Sequence, residues 1–536
     1  MRSICLPILA LAFAFPAARA AAQGLTLIDE GFRAAQEAML SSAGGAIRQI
    51  GLRTAAGDGP LAALVRDRQA VEERLRSAEL QITKPGADQV GLAGAIQGLG
   101  AELAALDLSL AADFPRYADL TRPKPLSIAE VQQLLAADEA LIATFIGETY
   151  AFVWAITPTQ SAWHRVNAGQ LVTSEAIATL RQTLDPTSPT RGAEALDGTA
   201  PAPRGLTFDR RLSAQLYDVF LAPLQPVFGS AQHIYVVPDG PLTSLPFGLL
   251  VAGRYSGEDD DPDALRRTPW MIRDHALTTL PSIESLRVVK GLPAPAPDRP
   301  VLAGFGDPVF SGGGSVASVT RGAALVAEGL ADADRLRSLP PLPATRRELL
   351  QIAQTLNAQP TALRLGADAT ETAVKQGAIG KAQVVAFATH GLLSGEVEGV
   401  TEPALVLTPP DRPSKLDDGL LTASEIVELR LDADWVILSA CNTAGGAEPG
   451  AEGLSGLARA FLFAGARSIL VSHWPVRDDA AARLTTAALQ AMADQTAPTR
   501  AQALRQSMLA LIDDTSDPSL AHPSAWAPFV IVGEGG

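Results

Sequence analysis

Cysteine is nearly absent from this chain: two in 536 residues, one of them, Cys5, within the first twenty. That scarcity rules out a disulfide framework. With only six histidines beside the remaining thiol, Cys441, no metal-ligand spacing is found either. Aromatic residues are sparse, at 5%. No Lys/Arg run interrupts a formal charge of −15, so the clustered positive charge that binds nucleic acid is missing. Beyond the N-terminus no apolar run approaches the ~20 residues of a membrane span. What remains is a globular composition, 47% hydrophobic and 19% charged, long enough for two or three domains.

The N-terminus reads as an export signal. Arg2, an apolar stretch from Ile4 to Phe15 and an Ala18-Arg-Ala20 ending form the pattern of a signal peptide over 1–20. The expectation is a periplasmic or secreted protein that begins near Ala21. Structural cysteines in an oxidising compartment come in pairs. A solitary Cys441 there is either a cross-link or a reactive group, and its surroundings favour reactivity.

Cys441 ends an apolar run that starts at Trp435, and His390 with Gly391 ends a similar run that starts at Gln383. Parallel strands of an open α/β sheet present their C-terminal tips along one edge, where ligands bind. Neighbouring strands would set the imidazole opposite the thiol. A base beside a thiol leaves a thiolate, the minimal apparatus for nucleophilic acyl transfer. The bland alternatives are a buried structural cysteine and a satisfied surface histidine. A separation of roughly 50 residues matches the caspase spacing of His before Cys.

Along the chain, residues 21–122 read as alanine-rich helices. Leu61, Leu64, Val71 and Leu75, then Ile96, Leu99, Leu103 and Leu106, recur at helical spacing, and Lys84-Pro-Gly breaks them into a hairpin. Residues 123–204 form a smaller α+β unit, with strands at 140–145 and 150–156 around Gly147-Glu-Thr149 and a polar linker from Asp185 to Arg204. From 205 to 536 short apolar runs alternate with helical stretches, as in a mainly parallel sheet between helical layers. Thr345-x-x-Glu348 and Thr422-x-x-Glu425 read as capping boxes at helix starts.

Five further blocks accompany the two strand tips: Val236–Phe247, Leu342–Glu348, Gly419–Glu425, Glu452–Phe461 with Ala464-Gly-Ala466, and His522–Phe529. Together, over roughly 205–535, they resemble the CHAT family, caspase-like domains often attached to tetratricopeptide repeats. The resemblance implies an α/β caspase-like fold preceded by a helical, degenerate-repeat region. It further implies His390 and Cys441 as the catalytic pair, with the amides of Gly391 and Cys441 receiving an oxyanion. No metal or organic cofactor follows from that chemistry. His473 departs from the family, where an apolar residue is more common.

His473 and Trp474 end the next strand and are expected to line the pocket at the same edge. Between His390 and Cys441 ten acidic residues, Asp417 and Asp418 among them, stand against Arg412, Lys415 and Arg430. That balance points to a basic residue before the cut. The leading reading is an exported cysteine endopeptidase acting on a protein or peptide, with a possible partner protein on the N-terminal helices. The alternative is a non-catalytic binding module on the same fold. Gly304-Phe-Gly306 lacks the third glycine of a dinucleotide fingerprint, and Glu258–Asp263 lacks the geometry of a calcium loop, so it reads as solvated.

Overall fold

The computed structural model describes residues 28–39, parts of 63–78, 89–113, 124–184, 207–292, 296, 298–310, 326–327, 330–392, 403–439, 456–474 and 476–536. The signal segment, the 185–204 linker and Cys441 lie outside the described residues. The strands are β1 (Glu139–Ile146), β2 (Ala151–Ile156), β3 (Ser161–Val166), β4 (His233–Val237), β5 (Ala276–Thr279), β6 (Leu302–Gly306), β7 (Val326–Ala327), β8 (Leu330–Ala331), β9 (Leu363–Leu365), β10 (Val384–Ala388), β11 (Gly391–Leu392), β12 (Ala404–Val406), β13 (Leu420–Thr422), β14 (Trp435–Ser439), β15 (Ser468–Ser472) and β16 (Phe529–Gly533). Eleven of them form one sheet in the order β3-β2-β1-β4-β5-β16-β15-β14-β10-β6-β9. Seven of its ten pairings are parallel.

Helices cover both faces of this sheet, because strands buried on both sides must be apolar at every position. Along β10, Val384, Ala386 and Ala388 face one core, while Val385 and Phe387 face the other. The first core holds α1 (Pro343–Thr355), α2 (Asp478–Ala493) and α3 (Arg500–Ile512), through Leu349, Leu484 and Leu504. The second holds Ile426 of the helix Ala423–Glu428 and Phe461 of the helix Gly456–Ala464. Each such fully buried side chain contributes about 1.5–3 kcal/mol of transfer free energy. Gly304 and Gly306 explain the apparent fingerprint. A Cβ on Gly304 would meet Leu363 at 2.6 Å, and one on Gly306 would meet Leu349 at 2.5 Å and the Ala388 carbonyl at 2.8 Å. These glycines serve close packing between β6, β10 and α1.

The strands of the 123–204 unit continue the same sheet. β1 and β2 pair antiparallel around the Gly147 turn, and β1 runs parallel to β4 from Glu139↔His233 onward. In the helical region Arg68 and Arg74 bridge to Asp107 and Glu102 on the helix Gln89–Asp113, and Val65 and Leu110 meet Phe463. The acidic run is not simply solvated. Asp259 takes the guanidinium of fully buried Arg210 at 2.7 Å, and Asp261 caps the helix Pro262–Arg266.

Candidate functional site

β10 and β14 are hydrogen-bonded neighbours, in register from Val384↔Trp435 to Ala388↔Ser439. His390 lies two residues beyond Ala388, and Cys441 lies two residues beyond Ser439. The register thus delivers His390 to the C-terminal edge of the sheet beside the strand that leads to Cys441.

The His390 ring is 8% exposed and rests against Phe310, with centroids 5.4 Å apart. Its Nε2 lies 2.9 Å from the carbonyl oxygen of Pro340. A carbonyl only accepts, so Nε2 carries the proton and Nδ1 holds the free lone pair. Nδ1 has no hydrogen-bond partner among the described residues. Burial pushes the imidazole below its ordinary pKa, with the Pro340 carbonyl pulling the other way. The ring is therefore a neutral base with a fixed tautomer.

The following residues hold it in place. Thr389 Oγ1 donates to the Val406 carbonyl, and Val406 N–H donates to His390 O at 2.9 Å. That bond makes Gly391 and Leu405 a non-hydrogen-bonded antiparallel pair, so the Gly391 N–H points away from β12. Its amide is left for another acceptor. Pro340 is a site residue that sequence reasoning missed, since it acts through a backbone carbonyl and no side-chain pattern announces it.

The carboxylates named from sequence are engaged elsewhere. Asp417 Oδ2 accepts from Thr372 N–H at 3.0 Å and Thr372 Oγ1 at 2.7 Å. Asp418 accepts from Leu420 N–H and Ala331 N–H, and burial raises its pKa. Beneath them Glu371 accepts from the amides of Asp418 and Gly419 and pairs with Lys375, which also reaches Glu425. Burial, and then the charge of Glu425, push Glu371 up to about 7. This acidic cluster ties loops together through backbone amides.

His473 and Trp474, expected as pocket lining at the His390 edge, are placed elsewhere. His473 lines a separate internal cavity of about 40 Å³ together with Leu504, Arg505 and Trp526. Its Nδ1 is buried without a hydrogen bond among the described residues, its carbonyl accepts from Arg181, and burial takes its pKa down to about 3. Trp474 is sealed in the core, with Nε1 donating to Ser524 O at 3.1 Å. The parity of β15 turns Trp474 into the same core as Leu470.

Among the described residues no three His, Cys, Asp or Glu side chains come together as metal ligands. Among them, too, no helix is long and apolar enough to cross a membrane.

The model of the CHAT domain matches residues 210–534. Tetratricopeptide repeat protein 28 of Mus musculus is 27% identical over 381 residues, and that of Homo sapiens 28% over 380. Each alignment covers 63% of this chain and 14% of the relative, so the chain spans a small part of those proteins' length. Two crystal structures of the Saccharomyces cerevisiae separase–securin complex align over 88% and 87% of this chain and 38% and 37% of theirs. Their TM-scores are 0.38 and 0.39, at 13% and 12% identity.

Proposed function

The chain belongs to the CHAT domain family, and from that premise we propose that it is a cysteine endopeptidase in which His390 and Cys441 form the catalytic dyad. The supporting observation is the pinned ring. Nε2 is committed to Pro340 O, which leaves Nδ1 as the base beside the strand that leads to Cys441. In the proposed reaction His390 Nδ1 takes the thiol proton and Cys441 Sγ attacks the scissile carbonyl carbon. The N–H groups of Gly391 and Cys441 receive the oxyanion. His390 then gives its proton to the leaving amine. Water, deprotonated by the same ring, cleaves the thioester and restores the thiol.

The substrate is a protein or peptide cut after a basic residue, in keeping with the acidic chain. The mature protein starts near Ala21 and acts in the periplasm or outside the cell, and the helices of 21–122 offer a surface to a partner protein. N-terminal sequencing that finds Met1 on cytoplasmic protein would remove the export reading. Peptide cleavage by wild type, absent in folded Cys441→Ala, tests the chemistry. A folded wild type that cuts nothing and carries an ordinary thiol would instead be a binding module.

A further inference from the structure

At the other end of the large sheet, far along the strand order from β10 and β14, the helix over 28–39 lies on one face of β1, β2 and β3. Phe32 and Ala35 anchor it in the core, the Phe32 ring 5.7 Å from that of Trp154. Gln36 accepts from Leu126 N–H at 2.8 Å and donates to Leu126 O at 2.9 Å, and Asp29 accepts from Ile128 N–H at 2.7 Å. The helix is therefore fixed in place, and its flank of Gly31 and Ala34 stands over the strands without touching down. Between that flank and Phe145, Phe152, Trp154 and Trp163 runs a cleft of about 320 Å³.

The aromatic wall follows from register. Residues paired across antiparallel strands point to the same side, with Cβ atoms about 5 Å apart. Phe152 stands opposite Phe145 on one side and Arg165 on the other, and Trp154 stands opposite Trp163. The Phe152 and Trp163 rings stack at 6.0 Å, yet Trp163 stays 44% exposed. No charged side chain lines the cleft. A polar group enclosed there would lose its hydration for nothing in return, so the enclosed part of a ligand must be apolar. The volume holds roughly ten carbons, each taking about the 30 Å³ of a water. Charge is supplied only at the open end. The Arg165 guanidinium lies over the exposed Tyr150 ring, 4.8 Å from its centroid, and has no carboxylate partner among the described residues.

We infer that this cleft binds a free fatty acid, an unbranched aliphatic carboxylate of about ten carbons. Its chain lies between the helix and the aromatic strands, and its carboxylate pairs with Arg165. No part of the inference involves His390 or Cys441.

Calorimetric titration of the full-length protein with decanoate, below the concentration at which it forms micelles, tests this. Wild type is expected to take up a single decanoate. Gly31→Leu should bind it at least about 30-fold more weakly, because the new side chain takes the ligand's place. A Cβ at Gly31 meets nothing within 4 Å. Glycine is also a poor helix former, so thermal unfolding of this variant should stay at or above that of wild type. Arg165→Gln should weaken decanoate about fivefold, the worth of an exposed ion pair, and leave decanol unchanged. Should Gly31→Leu not fold, Trp163→Ala, which removes an exposed wall, must weaken decanoate and decanol alike, by about tenfold. A wild type that binds no decanoate, because its own chain or a second copy fills the cleft, overturns the inference. So does an affinity that Gly31→Leu leaves unchanged, or an equal effect of Arg165→Gln on decanoate and decanol. Binding to phosphatidylcholine vesicles without binding of free decanoate would assign the cleft to a membrane surface and overturn it as well.

Discussion

Each end of the parallel sheet holds a buried histidine, and the two rings are treated differently. At the N-terminal edge His233 opens β4, with Nε2 2.7 Å from Thr278 Oγ1 and Nδ1 3.5 Å from Glu139 Oε1. Glu139 also accepts from Lys290 at 2.7 Å and from Tyr235 at 3.3 Å. A Cβ on Gly535 would collide with both His233 and Thr278. Every ring atom that can bond is occupied, and the tail closes the network. At the C-terminal edge His390 is bonded, among the described residues, through Nε2 alone. A ring bonded on both nitrogens has no lone pair to offer, whereas His390 keeps one on Nδ1. The feature that separates them is the number of committed nitrogens, since both are buried.

The sharpest way to break this contrast is to exchange alanine into each edge. His390→Ala and Cys441→Ala should each lower kcat/KM by about 10⁴-fold or more, with thermal unfolding close to wild type. His233→Ala should do the reverse, losing stability while the folded fraction keeps its activity per molecule. Assays corrected for folded protein separate the two. A folded Cys441→Ala with substantial cleavage would remove the mechanism.

The next effect is on stability. Glu139→Ala leaves Lys290 and His233 facing each other without their carboxylate, at a cost of about 3 kcal/mol in denaturant unfolding. Burial alone would raise Glu139, but hydrogen bonds from His233, Ala136 N–H and Lys290 outweigh it and bring the carboxyl down to about 2. A folded pKa below the ordinary 4.5 means a contribution complete above 4.5 and lost as pH falls towards about 2. Stability–pH curves of wild type and Glu139→Ala should therefore converge at the acid end. Curves that run parallel throughout would contradict the network.

Smaller still is the titration of His390. In Cys441→Ala no thiolate draws its proton, and burial should hold the ring below the ordinary value of 6.5. NMR of the imidazole protons reads this directly, and titration at or above 6.5 would refute the buried, neutral base. Least of all, Asp417→Asn and Asp418→Asn should change the residue preference before the cut by no more than about twofold. Both carboxylates face backbone amides. A lost basic preference in either variant would return them to the pocket.

Much of the sheet that carries this contrast is legible in the sequence. The strands Val384–Ala388 and Trp435–Ser439 stand at the expected residues, because four or five apolar residues in a row bounded by turn residues suit a short strand buried on both faces. Thr422-x-x-Glu425 does form its capping box, Glu425 accepting from Thr422 N–H at 2.9 Å. The same pattern at Thr345-x-x-Glu348 fails, since Pro343 already starts the helix and Ser439 offers Glu348 a partner from a distant strand. Local spacing carries no information about that strand. Nor does it carry the face of Trp474 or the Pro340 carbonyl, which depend on register and on how a loop returns to the sheet. Asp417 and Asp418 bond to backbone amides, which their sequence positions do not reveal. Charge counted along a loop does not say whether a carboxylate points to a cleft or to the loop's own amides.

The central claim is that His390 activates the thiol of Cys441, and the rate of alkylation measures it most directly. Native full-length protein should react with iodoacetamide at Cys441 at neutral pH much faster than a free cysteine does. His390→Ala should bring that rate back to the free-thiol value while the fold persists. Equal rates in wild type and His390→Ala, both at the level of an ordinary thiol, would contradict the account.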